Sequence, residues 1–252
     1  MLDRVPEVTI YFWIIKVLAT TVGETAADFL SITLNFGLSL TSLIMGALLS
    51  IALLNQFRLK RYIPLSYWLV VVLISIVGTL ITDQLVDDFG ISLQTTTLVF
   101  TVMLLGVFGF WYQSEKTLAM HSINTPKREL FYWIAILLTF ALGTSTGDLL
   151  AEALGLGYAP SAFVFGSAIA LITISYYYWT MNAVLAFWLA YILTRPLGAS
   201  IGDLLSQPTQ DGGFGYGTVG TSMLFLCIIF SLVIYLSLKP RKGISFSANS
   251  ED

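Results

Sequence analysis

Read along the chain, apolar residues fall into eight long runs separated by short polar breaks, at about 9–30, 34–55, 65–86, 93–113, 130–153, 160–180, 184–205 and 216–238. Each run meets the roughly 20 residues that a helix needs to cross a hydrocarbon core of about 30 Å. None shows the polar–apolar alternation of a lipid-facing strand, so helices are expected rather than a barrel. The breaks are too short to hold an inserted soluble domain. The pattern predicts an all-α polytopic membrane protein with a single transmembrane domain over 1–242 and a short polar tail at 243–252.

The odd-numbered runs share a register. Trp13 lies fifteen residues before Asp28, and the same spacing separates Trp68 from Asp83, Trp133 from Asp148 and Trp188 from Asp203. A glycine precedes each Asp by five residues (Gly23, Gly78, Gly143, Gly198). A small residue stands just before the Asp (Ala27, Thr82, Gly147, Gly202) and a leucine two after it (Leu30, Leu85, Leu150, Leu205). The motif W-x9-G-x3-[AGT]-D-x-L thus defines four units, at about 8–58, 62–113, 128–180 and 183–238. The Asp-to-Asp intervals are 55, 65 and 55, so the halves also repeat, and pseudo-fourfold and pseudo-twofold symmetry are both expected. Two helices per unit make the repeats parallel, not inverted as in many secondary transporters. Equivalent residues then share a depth, each Asp about 22 Å beyond its Trp at 1.5 Å per residue.

On these residues the chain resembles a family of uncharacterised bacterial multi-pass membrane proteins built from a tandem two-helix repeat of unknown function. The segment from Val5 to Lys16, followed by Gly23, Glu24 and Asp28, is similar to that family's first repeat. The resemblance implies eight transmembrane helices and carries no established activity.

Composition agrees with lipid as the solvent: 56% of residues are hydrophobic, 11% are charged, and the mean hydropathy is +0.83. The polar start lacks the features of a cleavable signal, so the first run is expected to remain as a span. Charge sets an expected orientation. Of the 12 Lys and Arg residues, all but Lys16 and Arg195 lie at one set of ends and loops: Arg4, Arg58, Lys60, Arg61, Lys116, Lys127, Arg128, Lys239, Arg241 and Lys242. The alternate loops carry Asp87, Asp88, Glu152 and Asp211 instead. Basic loops stay in the cytoplasm, which predicts a bacterial inner (cell) membrane protein with both termini cytoplasmic. Trp13, Trp68, Trp111, Tyr112, Tyr176 to Trp179 and Trp188 are expected at the headgroups of that side. Cys227 is the single cysteine and His121 the single histidine, which excludes an intramolecular disulfide and a multi-histidine metal site. Cys227 reads as a small packing residue and His121 as solvated. Nothing in the net charge of −3 suggests nucleic-acid binding.

Seven ionisable residues fall at membrane depth: Glu24, Asp28, Asp83, Asp148, Asp203, Lys16 and Arg195. Each costs at least about 2.5–3.5 kcal/mol there and marks a functional hypothesis. Glu24 and Asp28 share a helical face, as do Arg195 and Asp203, and Pro196 is a candidate kink. Five acids face two bases, so either a cation completes the cluster or some carboxyls carry protons. Water reaching helix ends near the Asp residues is a third solution. The five acids are the candidate ion, substrate or metal ligands, with Thr25, Thr79, Thr82, Thr144, Thr146 and Ser200 as nearby hydroxyls. Oxygen ligands suit Mg²⁺, Ca²⁺ or Mn²⁺. Lys16 and Arg195 are candidate charge-balancing or gating residues, either counter-ions or a built-in cation that substrate displaces. The expectation is a transporter or channel for a small cation, divalent or proton-coupled. The alternative is a structural or regulatory membrane protein whose buried charges hold the bundle. An enzyme is not expected, since no nucleophile motif or cofactor fingerprint accompanies the carboxylates. No cofactor is expected beyond a bound divalent cation, and the partners are a small cation or proton and the bilayer. The stretch Gln210 to Thr218 reads as a flexible turn.

Overall fold

A computed structural model describes residues 4–238; Lys239, Arg241, Lys242 and the tail 243–252 lie outside the described residues. Among the described residues there are eight α-helices: α1 (Ile10–Asp28), α2 (Gly37–Arg58), α3 (Pro64–Asp83), α4 (Leu93–Glu115), α5 (Pro126–Asp148), α6 (Tyr158–Tyr178), α7 (Ala183–Ser206) and α8 (Gly217–Leu238). All eight are long and apolar enough to cross a membrane, and the described residues contain no strand. Local chemistry starts several of them. Thr9, Ser92, Thr125 and Asn182 accept hydrogen bonds from first-turn N–H groups, and Pro64 and Pro126 open α3 and α5, where a missing N–H costs nothing.

The odd helices form a closed inner ring, α1–α3–α5–α7–α1. Each even helix packs outside the ring on the odd helix of the next repeat: α2 on α3, α4 on α5, α6 on α7 and α8 on α1. In the odd spans 56–67% of residues are buried, against 11–17% in the even ones, so the even helices are the face left for lipid.

The repeat motif explains the ring closure. A methyl group on Gly23 would strike Ser75, on Gly78 would strike Phe140, on Gly143 would strike Arg195, and on Gly198 would strike Thr20. Every one of these partners stands eight residues before the Asp of the following repeat. Glycine is therefore the notch that lets each odd helix seat a neighbour's side chain, as small residues do at other membrane helix interfaces.

The repeat tryptophans form a second cyclic lock, which corrects their expected place at the headgroups. Trp68, Trp133 and Trp188 are buried and Trp13 is half-buried. Each packs on the aromatic residue that precedes the Trp of the previous repeat. The ring centroids lie 5.6 Å apart for Phe12–Trp68, 5.3 Å for Tyr67–Trp133, 6.3 Å for Tyr132–Trp188 and 5.7 Å for Phe187–Trp13. Trp111 is also buried, whereas Tyr112 and Tyr176 to Trp179 are exposed as an interfacial belt requires. Phe12, Tyr67, Tyr132 and Phe187 make an aromatic floor across the ring, and the Tyr67 and Tyr132 hydroxyls are hydrogen-bonded.

Helix α7 runs on through Pro196, which packs against Gly143 and Gly147. Two further expectations are revised. Cys227 is exposed on the outer helix α8 rather than packed inside. The glycine-rich turn is pinned, because the N–H groups of Phe214, Gly215 and Tyr216 donate to Leu204, Gln207 and Leu205 at 2.6, 2.9 and 2.9 Å.

Candidate functional site

Helix α1 passes at Asp28 into a wider π-helical turn, Phe29–Thr33; α3 does the same after Asp83 (Gln84–Asp88) and α5 after Asp148 (Leu149–Ala153). Such turns are rare and recur at functional sites. Helix α7 lacks one, and the pinned glycine segment follows Asp203 instead.

Within the ring, at the Asp end, lies a cavity of about 200 Å³. All four repeat Asp residues and Glu24 line it. The positions four residues beyond each Asp (Ile32, Asp87, Glu152, Gln207) form its rim, and Ile32, Asp87 and Glu152 are exposed there. Asp87 and Glu152 are thus part of the cavity mouth rather than free loop acids, while Asp88 and Asp211 remain exposed outside it. Gln207 donates to Asp28 at 3.4 Å.

One oxygen each from Glu24, Asp148 and Asp203 falls within 4.8 Å of the other two. Three oxygens so spaced can surround one ion at the 2.3–2.6 Å typical of Ca²⁺. Asp28 and Asp83 line the same cavity outside that triad. No aromatic side chain lines the cavity, so it offers no cation–π box for an organic ammonium.

Arg195 stands behind the cavity lining, where it pairs with Glu24, and it binds every other repeat. Its Nη2 contacts Glu24 Oε2 at 3.1 Å and donates to the hydroxyls of Thr79 and, at 2.8 Å, Thr144. Its Nη1 donates to the Thr20 carbonyl at 2.5 Å and its Nε to the Phe140 carbonyl at 3.3 Å. Glu24, Thr79 and Thr144 occupy one repeat position, four before the Asp; Thr20, Phe140 and Arg195 occupy another, eight before it. A single arginine has thus taken one of four equivalent places and breaks the symmetry around itself. It stands at Glu24 as the paired positive charge.

Lys16 is not in this cluster. Its ammonium lies 4.2 Å from the ring centroids of both Phe140 and Tyr191, fully buried, with no hydrogen-bond partner and no ion pair among the described residues. The expected balance of five acids against two bases becomes five acids against one in and behind the cavity. Among the hydroxyls, Thr82 lines the cavity and donates to the Ala141 carbonyl at 2.9 Å. Thr25 pairs with Ser222 at 2.6 Å, Thr146 bonds its own helix at Leu142, and the buried Ser200 hydroxyl has no partner.

The family model described as Repeat of Unknown Function (DUF347) matches residues 11–62, 66–117, 131–181 and 186–242. The chain belongs to this family. No curated protein and no solved structure matches it. Each DUF347 unit supplies one odd helix to the ring, and therefore one Asp and one rim position to the cavity.

Two groups had escaped the sequence reading. The [FY]-W pair recurs in every DUF347 unit, so the aromatic residue before each Trp belongs to the repeat motif as well. Glu129 lies one residue before the fifth apolar run, in the first turn of α5. It is fully buried, paired with Arg4 at 2.6 Å and bonded by Gln56 at 3.2 Å and Trp133 at 3.4 Å.

Proposed function

We propose that this DUF347 protein carries a small hard cation, such as Mn²⁺ or Ca²⁺, across a membrane through the ring of odd helices. Glu24, Asp28, Asp83, Asp148 and Asp203 are its ligands, directly or through water, and Arg195 is the internal cation that the cargo displaces. The observation that carries this reading is the convergence of five carboxylates on one cavity behind whose lining stands a single base. One guanidinium does not balance five carboxylates, so either a cation joins them or some take up protons, and the first of these is proposed. The exposed Asp87 and Glu152 at the mouth add a field that concentrates cations there.

The positive-inside rule puts the Trp end, with Arg58, Lys60, Arg61, Lys116, Lys127 and Arg128, in the cytoplasm of a bacterial cell and opens the cavity to the outside. The aromatic floor then closes the inner side, so the described conformation is the outward-open one. The test is uptake of ⁵⁴Mn²⁺ or ⁴⁵Ca²⁺ into proteoliposomes. Asp148→Asn and Asp203→Asn should each reduce it at least tenfold with the melting profile of the detergent-solubilised protein preserved, and unchanged uptake in both variants rejects the proposal.

A second reading draws on the Arg195 contacts themselves. A side chain bonded to three neighbouring helices is also what a purely structural clasp looks like. In that case the wild-type protein moves no cation under any gradient, and Asp203→Asn alters stability alone.

A further inference from the structure

The Trp end of the ring, opposite the cavity, carries a segment that belongs to no helix. Residues 4–9 run ahead of α1, and Arg4 ties them to the rest of the chain. Its backbone N–H donates to the Ile123 carbonyl at 3.2 Å, and its Nη1 lies 2.6 Å from Glu129 Oε2 and 3.4 Å from the Phe57 carbonyl. Val5 beside it is buried. Ile123 and Glu129 flank the start of α5, which stands diagonally across the ring from α1. The segment is thus a strap from one inner helix to its opposite, at the end that the aromatic floor closes. Glu129 passes the hold of the strap on to that floor. Gln56 of α2 and Trp133 of α5 donate to its Oε1 at 3.2 and 3.4 Å, and Ser66 of α3 donates to Gln56 Oε1 at 2.8 Å. The Trp133 ring in turn packs on Tyr67 of the floor, with 5.3 Å between centroids. The acid departs from the repeat: the position four before each Trp holds Thr9, Pro64, Glu129 and Val184.

We propose that this strap is the inner gate of the pathway: Arg4 seated on Glu129 holds the aromatic floor shut, and the cation leaves at the Trp end only after Arg4 has come off. This rests on the cation-transport reading. Packing alone does not call for a fully buried carboxylate at this place, since apolar residues of similar volume are often as stable as a buried ion pair or more so. The better-attested use of such a pair is to hold one arrangement of the chain against another. Switching segments are commonly short stretches whose contacts are made in one state and released in the other. The strap has that form, with an unhelical backbone and one arginine carrying its polar ties. Buried ion pairs then stand at both ends of the ring, Glu24–Arg195 behind the cavity and Glu129–Arg4 at the Trp end. Once Arg4 leaves, Glu129 keeps only the neutral donors Gln56 and Trp133, and the link from α1 across to α5 is gone.

The test reads access to position 16, one turn beyond Phe12 on the cavity side of the floor, where the Lys16 ammonium is buried between the Phe140 and Tyr191 rings. Lys16→Cys is made in the full chain together with Cys227→Ser, so that it supplies the single thiol. Membrane vesicles of each orientation are treated with an impermeant maleimide, which reaches one face at a time. With the strap seated, the thiol should be protected from the Trp-end face. Adding Arg4→Gln or Glu129→Gln should raise labelling from that face at least tenfold and leave labelling from the cavity face unchanged. Arg4→Lys, which keeps the charge, should keep most of the protection. A pair that merely stabilises the fold would lower the unfolding midpoint without this one-sided change. Arg4→Gln leaves the Gln56 and Trp133 bonds to Glu129 in place, and so serves where Glu129→Gln does not fold. Labelling unchanged in a folded neutral variant overturns the gate, as does a thiol already open to the Trp-end face with the pair intact. Uptake of ⁵⁴Mn²⁺ by wild-type proteoliposomes, measured in parallel, separates the two readings: uptake with unchanged labelling leaves cation transport standing, and no uptake or binding by wild type defeats both.

Discussion

At the scale of single residues, the pair Glu24–Arg195 decides more than any other contact. Arg195 is fully buried, and among the described residues its one carboxylate partner within ion-pair distance is Glu24. Removing one member of a buried pair leaves an uncompensated charge, at a cost of about 3–5 kcal/mol. Glu24→Gln should therefore lower the thermal unfolding midpoint in detergent clearly, whereas Arg195→Met together with Glu24→Gln should recover much of the loss. A double-mutant cycle of unfolding midpoints checks this, and additive effects would deny the pair its role. The acids and Arg195 were legible in the sequence because a charge inside an apolar run stands out. Their partners were not. Nothing in residue order says that Arg195 reaches across to Thr79 and Thr144 or that Lys16 turns to two rings, since those pairings come from helices 50 to 180 positions apart. Glu129 was invisible for the opposite reason: at a helix start it looks like any first-turn acid, and only the Arg4 contact at 2.6 Å exposes its burial.

At the scale of helices, the repeat motif is an instruction for packing each odd helix on the next. Its glycines admit the side chain eight positions before the neighbouring Asp, and its tryptophans seat against the aromatic residue of the preceding unit. The number and approximate ends of the helices could be read from hydropathy, because lipid imposes the length. The π-helical turns could not, since a one-residue widening leaves no mark on an apolar pattern. Those turns carry Asp87 and Glu152 round to the cavity mouth instead of into a loop. The Gly143 notch gives a sharp prediction. A methyl group there would lie 2.1 Å from the Arg195 Cγ, so Gly143→Ala must push α5 and α7 apart behind the cavity. Overpacking of this kind costs about 1–3 kcal/mol. The same change at Gly46 on the outer helix α2, where nothing lies within 4 Å, should leave the unfolding midpoint unchanged or slightly raised. Equal losses at the two sites would contradict the close approach inferred for the ring.

At the scale of the whole molecule, four similar units close a ring and then depart from one another where the chemistry lies. The Asp layer keeps all four members, while the layer below it holds Glu24, Thr79, Thr144 and Ala199, and the next holds Thr20, Ser75, Phe140 and Arg195. Symmetry thus builds the cavity and asymmetry concentrates an off-centre acidic triad within it, from the first, third and fourth units. An ion bound by Glu24, Asp148 and Asp203 would tie three of the four inner helices together, so its binding energy is also folding energy. A ligand that binds only the folded state stabilises it by about 2.7 kcal/mol at a hundred times its dissociation constant. Saturating Mn²⁺ or Ca²⁺ should accordingly raise the unfolding midpoint of the detergent-solubilised protein, and a chelator should return it to the metal-free value. Asp203→Asn should abolish the increment, because it removes one of the three direct ligands. Asp28→Asn should reduce it without abolishing it, since that carboxylate lines the cavity outside the triad. A midpoint indifferent to both ions in the wild type would mean that the converging carboxylates satisfy one another by sharing protons, with no ion required to hold the ring together.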